Sequence, residues 1–497
     1  MTSKAGTWTS SFLLQLRTRR RVGSVLLYGA ITLLPQLASG TLAILYTTAF
    51  SPEEYANYGI FAAVYAAIAT LLDLGLSSGI FRNYFGKGKS AREYFSAAVT
   101  GARFIMAAAL PVLALALYVF WDALGVRFSQ KWIFIPVLLA IAFMDRSEEV
   151  LATVCRALER HTYYAAGRLT HGISLFVGGY IAVFSLKLGV MGALIAWFGA
   201  ECMALIVYEI LLRREAGLVW AQPDWPALRS SLRFGLPLVP DRLAGWARLL
   251  AIRPVLAHVV PAAAVGLFSF ASSLAAIPAL LASAIDLTLT PIYYRRREDD
   301  DAAVFNAKMR RFASVYAASL APLWVLMIAF NADVIGLIAG PDYTQASSVC
   351  SVLLCASFVR TQSLFLIRQL QFIRKTWLLP AITIPGAILV IPLTLVLAGQ
   401  YGIVAAAWVL VGVDLLIFFA LALIVNRFED LQYPFLASLV LIAIVFACAA
   451  SIVTGVTGLP NWTSVGYRLL FVALTGAFCT VFWIWPNRVL IRQLAAQ

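Results

Sequence analysis

Apolar residues run along this chain in long blocks, broken only by short polar connections. Crossing the hydrocarbon core of a bilayer takes roughly 20 mainly apolar residues. Applied along the chain, that rule predicts fourteen membrane-spanning helices, at 23–48, 56–80, 95–121, 132–156, 164–186, 189–212, 232–257, 264–291, 312–338, 346–372, 377–398, 402–425, 433–455 and 465–486. No connection has room for a soluble domain. The expected fold class is an all-α polytopic membrane protein of about 14 transmembrane helices.

The polar positions supply the orientation. Lys and Arg collect on the cytoplasmic side of bacterial membranes, so basic content should alternate from loop to loop. The N-terminal segment carries Lys4, Arg17, Arg19, Arg20 and Arg21, and the second loop carries Arg82, Lys87, Lys89 and Arg92. The fourth has Arg156, Arg160 and Arg168, the sixth Arg213, Arg214, Arg229 and Arg233. The eighth has Arg295, Arg296, Arg297, Lys308, Arg310 and Arg311, the tenth Arg374 and Lys375. Odd loops offer only Arg127, Lys131, Lys187 and Arg468. Both termini are expected in the cytoplasm, with an even number of spans. The N-terminus is too basic, and its apolar run too long, for a cleaved signal peptide.

The pattern also repeats within itself. Tyr28-Gly29 matches Phe234-Gly235, and Leu34-Pro35 with Gly40 matches Val239-Pro240 with Gly245. Tyr58-Gly59-Ile60-Phe61 matches Val265-Gly266-Leu267-Phe268, and Arg160-His161-Thr162-Tyr163 matches Arg374-Lys375-Thr376-Trp377. Arg146 falls opposite Arg360, and Gly189, Gly199 and Glu201 fall opposite Gly402, Gly412 and Asp414. Spans 1–6 and 7–12 are thus two parallel six-helix repeats, with a C-terminal helix pair appended. The expected units are a basic tail (1–22), an N-terminal half (23–228), a C-terminal half (229–428) and the appendix (429–497). Such a duplication places a substrate site between the halves, near the midplane, worked by rocking one half on the other.

Composition then excludes other classes. Of 497 residues 62% are hydrophobic and 12% charged, which leaves no polar surface for a soluble protein. The net charge of +14 sits in short clusters between spans rather than in a basic domain, so no nucleic-acid partner is expected. The six cysteines lie scattered in apolar stretches, without metal-ligand spacing, and read as small hydrophobes. Phosphate-binding loops, nucleophile elbows and metal-spaced histidines are absent from the sequence, so neither a cofactor nor enzymatic chemistry is expected.

Candidate chemistry rests on charges inside spans. An ionised side chain at a helix centre costs about 2.5–3.5 kcal/mol, so it faces a cavity or a partner. The seventh span carries Asp241, Arg242, Arg248 and Arg253. Drawn as one helix at 100° per residue, it puts Arg242 and Arg253 on one face. In one reading these arginines line a cationic cavity for a diphosphate, because guanidinium binds phosphate oxygens in a bidentate fork. In the other, Asp241 pairs locally and the outer arginines snorkel. Asp73 and Asp286 could bind a cation or pair with a nearby arginine. Glu201 and Asp414, at matching repeat positions, suggest a shared structural role. Arg103 and Arg360 could face either the cavity or the cytoplasmic rim. Trp246 lies deep in its span, for sugar stacking or for packing, whereas Trp197, Trp324, Trp408, Trp483 and Trp485 are expected at membrane interfaces.

Several segments together carry a family resemblance. They are Ser51-Pro52-Glu53-Glu54-Tyr55, Leu74-Gly75-Leu76 with Arg82, Cys155-Arg156-Ala157-Leu158-Glu159-Arg160, Arg233-Phe234-Gly235-Leu236-Pro237, Val265-Gly266-Leu267-Phe268 and Gly340-Pro341-Asp342-Tyr343. In this order they resemble the Wzx-type polysaccharide flippases of the multidrug/oligosaccharidyl-lipid/polysaccharide exporter superfamily. The family commonly has an acidic-basic pair late in the seventh span, where this chain has Ala251-Ile252-Arg253-Pro254. The resemblance implies movement of an undecaprenyl-diphosphate-linked oligosaccharide from the cytoplasmic to the periplasmic leaflet of the inner membrane. Polysaccharide polymerase and chain-length proteins would be partners. A multidrug antiporter and a lipid II flippase belong to the same superfamily, and a membrane polymerase is disfavoured by the short odd loops.

Overall fold

The computed structural model describes residues 36, 38–84, 90–125, 131–299, 302–372, 375, 377–428, 433–455 and 461–488. The basic N-terminal segment, the repeat residues Tyr28, Gly29, Leu34 and Pro35, and loop residues Lys87, Lys89, Arg127 and Arg374 lie outside them. The first predicted span is represented by α1 (38–45). The second is α2 (Pro52–Asp73) and α3 (Leu76–Tyr84), followed by α4 (Ala91–Phe120), α5 (Lys131–Ala157), α6 (His161–Tyr180) and α7 (Gly189–Glu215). The seventh comes in three pieces, α8 (Trp225–Gly235), α9 (Val239–Leu249) and α10 (Ile252–Leu256). The rest are α11 (Ala262–Asp299), α12 (Ala302–Ile338), α13 (Ala346–Phe372), α14 (Leu378–Tyr401), α15 (Ile403–Phe428), α16 (Phe435–Gly455) and α17 (Asn461–Cys479).

Each predicted span therefore meets a helix or a series of consecutive helices. Among the described residues, nine stretches are long and apolar enough to cross a membrane by length and composition alone. The α5 helix is not one of these, because Asp145, Arg146, Glu148 and Glu149 interrupt its middle.

Local chemistry sets the ends and the breaks. Ser51 and Glu54 form a reciprocal capping box at the start of α2, with Pro52 at the first helical position, where its missing N–H costs nothing. The α2 helix ends in two left-handed residues, Leu74 (φ 48°) and Gly75 (φ 72°). In the seventh span, Asp224 caps α8, while Pro237, Pro240 and Pro254 each withhold a backbone donor. The span starts earlier than the pattern predicts and is interrupted at Leu236–Leu238 and again at 250–251. A single-helix projection therefore does not apply, and the expected shared face of Arg242 and Arg253 is lost.

The duplication is visible in the packing. The α5 helix packs on α2 and α7 as α13 packs on α11 and α15, and α6 packs on α7 as α14 packs on α15. The appended α16 and α17 rest against α12. Lipid is as apolar as leucine, so close approach and hydrogen bonds hold such helices together. Gly167 accordingly lies under the ring of Tyr208, whose hydroxyl donates to the Tyr164 carbonyl at 3.0 Å. Trp324, expected at an interface, is fully buried and donates to Ser357 Oγ at 2.8 Å. Its indole N–H is satisfied inside the bundle, so water is not needed.

Residues of α2 and α3 touch the C-terminal repeat along their whole length. At one end Gly266 lies against the backbone of Pro52, leaving no room for a Cβ, and Tyr343 donates to the Phe50 carbonyl at 2.9 Å. In the middle, Trp246 Nε1 donates to the Ala63 carbonyl at 2.7 Å. At the other end Gly75 meets Gly235 backbone to backbone, and Asn83 donates to Ser231 at 3.0 Å. This second end also carries Arg82, Arg92, Arg156, Arg160 and Arg233 and is the basic end of the bundle.

Candidate functional site

The site grows from the break between α2 and α3. Because the chain turns left-handed at Leu74 and Gly75, a new helix begins at Leu76, and its first N–H groups need an acceptor. Asp73 supplies it. Its Oδ1 accepts from Ser77 N at 3.3 Å and Ser77 Oγ at 2.6 Å. Its Oδ2 takes Arg242 Nη1 at 2.6 Å, and Arg242 Nη2 donates to Ser78 Oγ at 2.9 Å. The break thus turns a buried carboxylate toward the opposite repeat.

A cavity of about 600 Å³ opens beside this pair, lined by Asp73, Ser77, Ser78, Phe81, Arg82, Arg146, Glu149, Arg156, Phe234 and Arg242. Its walls are α2 and α3, α5, and the α8–α9 junction, so it lies between the two repeats toward the basic end. Four guanidinium groups face two carboxylates there, an excess of positive charge. Arg82 stacks over Phe234 at 4.3 Å, which holds it at the mouth. Arg156 Nη2 donates to Glu149 Oε1 at 2.6 Å. Arg146 is paired with its neighbour Asp145.

The model of the family described as "Polysaccharide biosynthesis protein" matches residues 49–348, more than half of the chain. The chain belongs to that family. A relative from Haloferax volcanii, described as "Probable low-salt glycan biosynthesis flippase Agl15", is 21% identical over 365 residues, 70% of this chain and 71% of the relative. Among solved structures, the lipid II flippase MurJ in an inward closed conformation superposes with a TM-score of 0.70 at 13% identity, covering 94% of this chain and 99% of MurJ. An inward-facing multidrug resistance MATE transporter of the MOP superfamily superposes with a TM-score of 0.64 at 16% identity, covering 84% and 96%. The resemblance in the sequence is thereby borne out, and the fold is the superfamily's.

This member of the family distributes its intramembrane charges differently from the sequence pattern. Arg82, Arg242 and Asp73 meet in the cavity. Asp73 takes Arg242, far away in the chain, rather than the adjacent Arg82. Among the described residues Asp241 forms no ion pair with an arginine, and it accepts from Thr383 Oγ1 at 3.0 Å. Arg248 and Arg360 both reach Asp414, at 3.2 Å each, within the C-terminal repeat. Arg253 donates to the Gly59 carbonyl at 3.3 Å, toward the end away from the cavity. Asp286 holds Arg368 at 2.7 Å. Glu201 takes Trp197 Nε1 at 3.0 Å, and Arg103 pairs with Glu209 and faces Trp220. Neither Glu201, Arg103 nor Trp246 lines the cavity.

Three cavity residues carry more weight than their sequence context suggests. Arg146 stands out only as a repeat match, and Arg156 only as a topology marker. Glu149 has a signal that hydropathy averaging hides, in the run Asp145-Arg146-Ser147-Glu148-Glu149 inside a span.

The Asp414 cluster yields a stability prediction. Asp414→Ala leaves two guanidinium groups without their carboxylate and should cost about 3–5 kcal/mol. Arg248→Ala should cost less, because Arg360 still neutralises Asp414. Thermal unfolding of the purified variants in detergent checks the order, and equal midpoints would exclude a shared pair.

Proposed function

We propose that this protein moves a lipid-linked oligosaccharide, carried on undecaprenyl diphosphate, from the cytoplasmic to the periplasmic leaflet. The observation that carries this reading is the arginine-rich cavity between the two repeats of a polysaccharide biosynthesis family member. A diphosphate needs several fixed positive charges in a site shielded from water, and guanidinium satisfies its oxygens two at a time. Arg82, Arg146, Arg156 and Arg242 supply that charge, while Asp73 and Glu149 hold the arginines extended when no anion is present.

In this reading the basic end is cytoplasmic, as are both termini, so the cavity opens where the lipid-linked sugar is made. Residues 23–228 and 229–428 rock against each other, and 429–497 ride on the second half. Outward movement of the anion follows an inside-negative potential, worth about 2.3 kcal/mol per charge per 100 mV. The lipid partner is thus chosen by its diphosphate, and the polymerase and chain-length proteins take over beyond the membrane. No covalent chemistry is required of the chain. A cavity with excess positive charge repels cationic drugs, which disfavours the antiporter reading.

The test is the leaflet of lipid-linked oligosaccharides in cells lacking the gene, assigned with a membrane-impermeant lectin or glycosidase. Complete units confined to the cytoplasmic face are expected, and their sugars name the substrate. Units that reach the outer face unhindered would overturn the proposal. Accumulation of lipid II instead would move the substrate to peptidoglycan precursors.

A further inference from the structure

Both carboxylates of the cavity are tied on two sides. Asp73 gives Oδ2 to Arg242 of the opposite repeat and Oδ1 to Ser77 of its own. Glu149 Oε1 accepts from Arg156 Nη2 at 2.6 Å, and its Oε2 accepts from Arg168 Nη2 at 2.6 Å. Each carboxylate thus has one oxygen on an arginine of the cavity wall and the other on a second donor. For Asp73 that second donor is a neutral hydroxyl, whereas for Glu149 it is another guanidinium.

The α5 and α6 helices fix this arrangement. Residues 146, 149, 153 and 156 follow one another at steps of three and four, so they share one face of α5. Arg146, Glu149 and Arg156 of that face line the cavity, and Thr153 Oγ1 accepts from Arg156 Nη2 at 2.7 Å. Arg168 comes from α6 and stands behind the wall, its side chain 17% exposed against 40% for Arg156. Its Nη1 lies 3.3 Å from Glu148 Oε1, and its guanidinium is 5.6 Å from the centre of the buried Tyr164 ring. Arg168 is therefore fixed inside the N-terminal repeat, and Arg156 is the partner that can turn into the cavity.

A carboxylate and a phosphate compete for the same guanidinium fork. An anion that takes Arg156 must displace Glu149, and a carboxylate left loose in the cavity would repel it. A carboxylate already bound from behind keeps a charged partner when Arg156 leaves, which avoids the cost of stranding a buried charge.

We propose that Glu149 is a built-in anion that occupies Arg156 until a diphosphate displaces it, with Arg168 as the positioning residue that holds Glu149 back. This rests on the reading of the cavity as a diphosphate site and deepens it. Arg168 touches no substrate and acts on the anion only through Glu149. The exchange also screens ligands, because an uncharged lipid or a free sugar has nothing with which to displace a carboxylate.

Isothermal titration of inorganic pyrophosphate into the purified full-length protein in detergent tests the exchange. Glu149→Gln removes the competing charge at similar volume and should tighten binding. Arg168→Gln should weaken it, because Glu149 then stays on Arg156, and Arg168→Lys should recover part of the loss. Each change should be roughly 10- to 150-fold, the range for one hydrogen bond to a charged group. With Glu149→Gln already present, Arg168→Gln should have no further effect. An arginine with a merely structural role would weaken binding equally in both backgrounds, and that additivity would overturn the proposal. Unchanged or weaker binding by Glu149→Gln would also overturn it, which decides the matter even if the Arg168 variants fail to fold. No binding by the wild type would overturn the cavity as a diphosphate site, and the exchange with it. Binding with additive changes rejects the exchange alone and leaves the flippase reading standing.

Discussion

Exchanging Asp73 for Asn and Arg242 for Gln together is expected to abolish glycan export while the protein still folds and inserts. The single change Arg242→Ala is less informative. It strands Asp73, whose side chain is 2% exposed, and breaking such a pair costs about 3–5 kcal/mol in its own right. A variant that fails to accumulate would say nothing about substrate. The double change removes both charges at similar volume, so the junction of α2, α3 and α9 should survive. What disappears is one guanidinium fork for phosphate. A hydrogen bond to a charged group is worth about 1.5–3 kcal/mol, so affinity should fall roughly 10- to 150-fold. Arg242→Lys should recover part of it, since the charge returns without the fork. Surface glycan measured at matched membrane protein levels checks the set. Full export by the double variant would exclude Arg242 as a substrate ligand.

A second large effect is expected from Gly266→Val. This glycine lies against the Pro52 backbone where α11 crosses the start of α2, and any side chain must push the two helices apart. Overpacking costs about 1–3 kcal/mol. Because the obstacle is backbone and cannot rotate away, the strain falls on the closed arrangement at this end and favours one open there. That corresponds to roughly a 5- to 150-fold shift in population. Ser269, buried beside Gly59, is a suitable reporter position. In a cysteine-free background, Ser269→Cys should react faster with a membrane-impermeant maleimide once Gly266→Val is added. Unchanged labelling would mean that this contact yields without opening the end, and would remove it as a gate.

The two predictions rest on features of different visibility in the chain. Asp73, Arg82 and Arg242 can be picked out of the sequence, since charges in apolar runs are conspicuous. Their convergence cannot. Asp73 and Arg242 are 169 residues apart, and the contact exists because a left-handed turn at Leu74 and Gly75 fits against Gly235. Glycines are frequent in membrane helices, and nothing in their spacing tells a crossing point from a tolerated small residue. Arg248 shows the reverse case. It shares a span with Arg242 and is as conspicuous, yet it turns into the C-terminal repeat toward Asp414 and Arg360. Arg253 goes elsewhere again, since the turn at 250–251 resets the helical phase.

The sequence alone determined the positions of the spans, the all-helical class and the duplication. It could do so because lipid offers no partner for the backbone, so each apolar stretch must satisfy its own hydrogen bonds within itself. That is a local requirement, and local pattern suffices to read it. Only the tertiary structure decided which charges meet at the cavity and which are neutralised within one repeat. Those outcomes depend on how helices distant in sequence cross and where their breaks coincide, and a hydropathy pattern records burial without recording the partner.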